Sequence, residues 1–212
     1  MNTTELLAVF REEVADMALP YLWSDALVYG YIDDAQKQFC RYTFGIDDAR
    51  SYKLNVALGV EWYAINSKIT RLFAASNALT GRDIPILSLD QVLASHAIFD
   101  TATGPIQCFV KGLQKNQLRA YPIPSEPTLV YLRTQRLPQD IGAGDDFEID
   151  EQHHRNLLDW VKYRAYSVQD AEVTDESKAD KYQARFAQYC RESKTEQGRM
   201  RRPVAVVSYG GI

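Results

Sequence analysis

The chain has 212 residues, 46% of them apolar and 25% charged, an ordinary globular composition long enough for one large domain or two small ones. Its formal net charge of −4 and pI near 5.4 exclude a monomer that coats itself in nucleic acid. Cys40, Cys108 and Cys190 lie too far apart in sequence for a disulfide framework or a zinc ribbon, and read as half-buried thiols in a reducing compartment.

The first residues, MNTTELLAVFREEVADM, mix acids into an apolar pattern, so no signal peptide is expected. No window approaches the ~18 uninterrupted apolar residues of a membrane span, and a soluble, intracellularly made chain is expected. Thr3 or Thr4 can cap a first helix, with Leu6, Leu7, Phe10, Val14 and Met17 recurring at three- and four-residue steps before Pro20. Ser24 can cap a second helix, and Asp25 adds charge at the positive end of its dipole. Leu27, Tyr31, Ala35 and Phe39 share a face of that helix, with Val28 and Ile32 beside them.

After Arg50 the period becomes two. Leu54, Val56, Leu58, Val60 and Trp62 share one parity, which predicts a half-buried strand. Gly81 marks a turn, and IPILSLDQVLA reads as an extended piece ending in a helical turn. PIQCFVKG, QLRAYPIP and TLVYLRTQRL follow as strands. A hairpin-length gap separates the first two, and Pro122 and Pro124 close the middle one. The helical period returns near Asp150, with Leu157, Val161, Ala165 and Val168 on one face and Leu158 beside it. Thr174 or Asp175 can cap a last helix carrying Ala179, Tyr182, Phe186 and Cys190. The expected fold is α+β: mainly a helical bundle, four helices drawn from both chain ends, with a small antiparallel β insertion. The expected boundaries are 1–50 and 138–190 for the bundle helices, 51–137 for the insertion and 191–212 for an extended arm.

Few residues invite chemistry. His153 and His154 stand at the start of a helix, but the positions four further on are Leu157 and Leu158, so the spacing of a helical metal site is missing. They read as structural or solvated histidines in a wet first turn. Cys108 with His96 lacks the glycine elbow or helix start that a thiolate nucleophile needs. The pairs Asp33-Asp34, Asp47-Asp48 and Asp145-Asp146 read as solvated surface. Tyr21, Trp23 and Tyr29 cluster near the first helix junction, as core and rim or as an assembly surface. The basic cluster Arg199, Arg201, Arg202 precedes an alternating apolar tail, either a frayed end or an arm that adds to a neighbour.

Several stretches taken in order resemble a known family. They are ELLAVFREEVADM, WSDALVYGYIDDAQKQFCRYT with Trp23-Ser24-Asp25 opening the helix, and ITRLFAASNALTGRDIPILSLDQVLA with its Gly81-Arg82 turn. LRAYPIPSEPTLVYLRTQRLP and FEIDEQHHRNLLDWVKYRAYSVQDAE follow, then KADKYQARFAQY. Together, over about residues 3 to 190, they resemble the head–tail connector (adaptor or head-completion) proteins of tailed bacteriophages. The resemblance implies a structural virion protein at the neck, with no catalytic residue, cofactor or metal. It implies a homo-oligomeric ring of roughly twelve copies below the portal protein. The ring extends the channel for double-stranded DNA without sequence-specific binding and docks a tail tube, nozzle or other neck protein. The arm that engages the portal would be Arg199, Arg201, Arg202, Pro203, Val204, Val206, Val207, Tyr209 and Ile212. An acidic pI fits a channel through which DNA slides, since each phosphate contact adds affinity. The alternatives are a tail tube or nozzle subunit, and a small metal-binding enzyme built on the histidines.

Overall fold

The computed structural model describes residues 1–95, 101–168 and 175–201. They form two compact units: Gly45–Pro138, and Met1–Phe44 together with the residues from Gln139 onward.

The second of these is helical. Helix α1 (Thr3–Val14) is capped by Asn2, whose side chain accepts the Glu5 amide at 2.9 Å while the Glu5 carboxylate accepts the Asn2 amide at 3.1 Å. This reciprocal box satisfies two first-turn donors, so the cap lies one residue before the expected threonines. Helix α2 (Asp25–Tyr42) starts, as its sequence predicts, with the Ser24 hydroxyl accepting the Leu27 amide. A four-residue turn α4 (Glu151–His154; α3 lies in the other unit, below) leads into α5 (Leu157–Tyr166), and α6 (Glu176–Met200) starts at Asp175, whose side chain accepts the Lys178 amide. Helix α5 touches α1, α2 and α6, and its Leu157, Leu158, Val161 and Ala165 are buried. Truncating either leucine to alanine costs about 2–5 kcal/mol, because the cavity adds to the lost transfer energy. Phe186 of α6 packs against Trp160 and Tyr42. Helix α6 runs 25 residues, so residues 191–200, read from sequence as the start of an extended arm, are helical.

In the other unit the strands are β1 (Ile46–Asp48), β2 (Lys53–Val56), β3 (Trp62–Ala64), β4 (Ile69–Asn77), β5 (Asp83–Ile84) and β6 (Ile86–Ser88). The short helix α3 (Leu89–Ser95) precedes β7 (Thr103–Gly104), β8 (Cys108–Lys111), β9 (Gln117–Tyr121), β10 (Ile123–Pro124) and β11 (Thr128–Arg136). β11 is the spine of one sheet: β4 pairs along one side of it, and β2 then β1 share the other. The second sheet runs β3-β9-β8-β6, and β10 pairs with β7. The sheets face each other through Leu54, Val56, Ala75, Val130 and Leu132 on one side and Tyr63, Phe109, Leu118 and Ala120 on the other. Val92 of α3 covers the outer face of the second sheet, against Cys108, Val110 and Tyr121.

The expected mainly helical bundle with a small β insertion is therefore overturned. Among the described residues, eleven strands in three sheets make the β part a unit of its own, and 40% of those residues are helical and 25% strand. Nor is this part purely antiparallel, since β6 with β8 and β7 with β10 are parallel pairs. Six of these strands have only two or three residues, too few to show a period of two. The single strand expected across 54–62 is broken as well. Gly59 takes φ +72° in a turn closed by Tyr63, whose hydroxyl accepts the Ala57 amide at 3.2 Å and donates to the Val60 carbonyl at 2.7 Å. Leu58 and Val60 are consequently exposed, although their parity matches that of buried Leu54 and Val56.

Candidate interaction surfaces

His153 and His154 are 4% and 5% exposed, so the wet first turn expected from sequence is a dry one. The His153 Nδ1 lies 2.7 Å from the Tyr189 hydroxyl, and its ring sits 4.6 Å from that of Phe39. His154 Nε2 donates to the Ile149 carbonyl at 2.9 Å and its ring packs on Phe147. Burial pushes the His153 pKa down, against the pull of Asp150 and Glu196, so neutral imidazole is favoured. With both side chains turned inward, the helix expected to run on from Asp150 is split into α4 and α5. Among the described residues no group of three His, Cys, Asp or Glu could hold a metal ion.

The other candidates are also committed elsewhere. Cys40, Cys108 and Cys190 are buried thiols; burial alone pushes Cys190 up to about 12 and raises Cys108. His96 lies outside the described residues. Asp33, Asp34 and Asp48 are less solvated than their sequence suggests, whereas Asp47 is exposed. Asp33 binds Lys37 and the Ile141 amide, while Asp34 accepts from the Trp160 indole at 2.8 Å and pairs with Arg164 at 2.6 Å. Asp48 is buried against Arg136 at 2.8 Å. Burial raises its pKa, but the Ser51 and Arg50 amides and the Arg136 guanidinium outweigh that and hold it well below the usual carboxylate range. Asp145 and Asp146 are exposed.

Of the expected arm, Arg199 is exposed near the end of α6, and the Arg201 guanidinium lies 4.5 Å from the centre of the Phe44 ring. Arg202, Pro203, Val204, Val206, Val207, Tyr209 and Ile212 lie outside the described residues.

The feature least visible in sequence is the loop between α1 and α2. Arg11 is buried; it pairs with Asp16 at 2.6 Å and with Asp25, donates to the Trp23 carbonyl at 2.9 Å, and stacks 3.6 Å from the Tyr21 ring centre. Asp16 also accepts the Leu22 amide at 3.0 Å. The Trp23 indole donates to the Ala165 carbonyl at 3.1 Å and meets Phe10 and Tyr166 edge-on. Trp23 is thus core, which settles its reading in favour of core over assembly surface. The apolar side chains left outside are others: Met17 at 65%, Leu19 at 79% and Leu22 at 55% exposure. A loop pinned by a buried ion cluster presents apolar side chains at little further entropic cost, as a binding surface requires. The signal in sequence was a lone arginine, Arg11, among the apolar steps of α1.

Among the described residues no helix is long and apolar enough to cross a membrane. No curated protein matches the chain. A family model described as SU10 adaptor protein matches residues 1–207. A match over nearly the whole length covers both units, and the chain belongs to the SU10 adaptor protein family, a family of phage head–tail adaptors.

Proposed function

We propose that the protein is a structural subunit of a ring that sits beneath the portal of a tailed phage, lengthens the DNA channel and offers the docking surface for the next tail component. The observation that carries this reading is the family match across residues 1–207. Its location would be the neck of the virion, and the protein would act without catalysis. The site chemistry agrees: His153, His154, the three cysteines and the Asp33, Asp34 and Asp48 carboxylates are spent on internal packing and ties. A net charge of −4 supports passage of DNA without retention. Two surfaces are offered to partners: the pinned apolar loop at Met17–Leu22, and the segment from Arg199 through Ile212 as an arm to the portal.

The test is to mix the protein with its cognate portal and image the product by electron microscopy. An added ring on the portal is expected; bare portals with the protein left free, or a complex only with the tail component, would overturn the portal position. Deleting residues 203–212 is expected to weaken docking while leaving the helical circular dichroism unchanged. Undiminished docking would remove the arm from the reading.

A further inference from the structure

Charge is divided unevenly along this chain. Gly45–Pro138 holds ten Lys and Arg against seven Asp and Glu, net +3, whereas the remaining residues hold fourteen against twenty-one, net −7. Among the described residues of the β unit, Asp48 is paired with Arg136, Glu61 with Arg119, and Asp83 with Arg133. The excess of positive charge is carried by side chains such as Arg71, Lys111 and Lys115.

Arg71 and Lys111 meet at one place. A groove of about 480 Å³ opens between the first half of β4 and the turn joining β8 to β9. Its walls include Arg71, Phe73, Lys111, Gln114, Asn116 and Gln117, and among the described residues none of its lining is acidic. The Arg71 guanidinium lies 4.9 Å from the Phe73 ring centre, which holds the cation against the groove wall. Lys115, exposed, sits in the same turn. A guanidinium fork, an ammonium and three side-chain amides suit carboxylates presented on an extended segment.

The chain itself carries exposed carboxylates on a turn-bearing loop. In GAGDDFEIDE, residues 142–151, the side chains of Asp145, Asp146, Glu148, Asp150 and Glu151 are all exposed. Asp145 accepts the Gly142 amide and Glu148 the Gln139 amide, which braces the segment from within. We infer that the Arg71–Lys111 groove of one copy receives the Asp145–Asp150 segment of a second copy. The inference rests on the ring reading and deepens it. Ring closure needs two different surfaces per subunit, one that gives and one that receives, and a basic groove with an acidic segment supplies such a pair. Opposite charge on the two faces also steers encounter and disfavours like-to-like pairing.

The experiment is a charge swap read on portal-bound rings. Arg71→Glu with Lys111→Glu is expected to cut the fraction of portals carrying a ring by at least about tenfold, since like charges then face each other. Asp146→Lys with Asp150→Lys is expected to do the same. The chain with all four changes is expected to restore rings. Circular dichroism of each variant checks folding, and Asp146→Lys alone serves as a milder second variant. A direct readout uses oxidation of mixed rings of Lys111→Cys and Asp146→Cys chains, where a disulfide dimer is expected only when both are present. Rings from every charge variant, or no rescue by the swap, would overturn the groove contact and leave the ring reading standing. Loss of duplex DNA retention with rings intact would assign the groove to DNA and overturn the inference too. If the unaltered chain forms no ring on its portal, it is the ring reading that fails.

Discussion

In the helical unit Arg11 is buried and divides its donors among Asp16, Asp25 and the Trp23 carbonyl; in the β unit Arg136 and Asp48 form a buried pair across two neighbouring strands. The settings differ in what the charges must specify. Helices α1 and α2 meet α5 across more than a hundred residues of sequence, and Glu13–Lys162 and Asp34–Arg164 are ties of that kind. Apolar stripes alone would tolerate several pairings of four helices, and a buried polar tie selects among them. In the β unit the β11 ladder already fixes the partners, so the Arg136–Asp48 pair adds to a register that hydrogen bonds have set.

The largest test of this contrast is Arg11→Met. It leaves Asp16 buried without its cation, and a loss of about 3–5 kcal/mol is expected in denaturant unfolding followed by far-UV circular dichroism. Labelling by a thiol reagent separates the units: Cys40 and Cys190 are expected to become reactive earlier, while Cys108 keeps its protection. Arg136→Met is expected to cost less, about 2 kcal/mol, because Asp48 keeps the amides of Arg50 and Ser51. Equal losses from the two substitutions would erase the contrast.

Acid is expected to strike the units in different windows. The folded pKa of His153 lies below its unfolded value, so its neutral form supports the fold above pH ~6.5, and that support is lost as pH falls through the folded value. Asp48 is also depressed, but from a carboxylate value, so its contribution holds until pH falls below about 4. Thermal unfolding between pH 7 and 5 should therefore weaken the helical unit first, and His153→Phe should flatten that slope. Asp159, raised by burial, works in the opposite sense on acidification, which is why the comparison with the variant is needed. The smallest effect on stability is expected from Met17→Ser with Leu19→Ser, within about 0.5 kcal/mol because both side chains are exposed. A marked loss of portal or tail-component association by the same variant would show the loop to be a contact surface.

Much of the helical unit was legible because its signals are local. Ser24 and Asp175 read as caps and act as caps, and Leu157, Leu158, Val161 and Ala165 read as core and are buried. The β unit was underestimated for the converse reason. Its two- and three-residue strands show no period, and the run Cys108-Phe109-Val110 is buried on both faces and shows no alternation. His153 was misread because its burial depends on Tyr189 and Phe39, and nothing near it in sequence announces those partners; His154 was misread although its own partners, Phe147 and the Ile149 carbonyl, lie within seven residues. The apolar loop was missed for a similar reason: proximity of Trp23 to Leu22 hides that one points in and the other out.

The placement of the β unit between Phe44 and Gln139 has a consequence for synthesis. Helices α1 and α2 leave the ribosome before α5 and α6, against which they pack. At 5–20 residues per second, the 94 residues of Gly45–Pro138 take roughly 5 to 20 s to follow. Throughout that interval the faces carrying Leu6, Phe10, Ile32 and Phe39 have only each other to cover them. The β unit, contiguous in sequence, can fold as soon as β11 emerges, and it then holds the two halves of the helical unit on a short tether. In a cell making many copies at once, the same interval lets the α1–α2 hairpin of one nascent chain meet the α5 of another. Exchange of helices between neighbours is therefore the characteristic misassembly of this design, and slowing translation across the β unit would raise its yield.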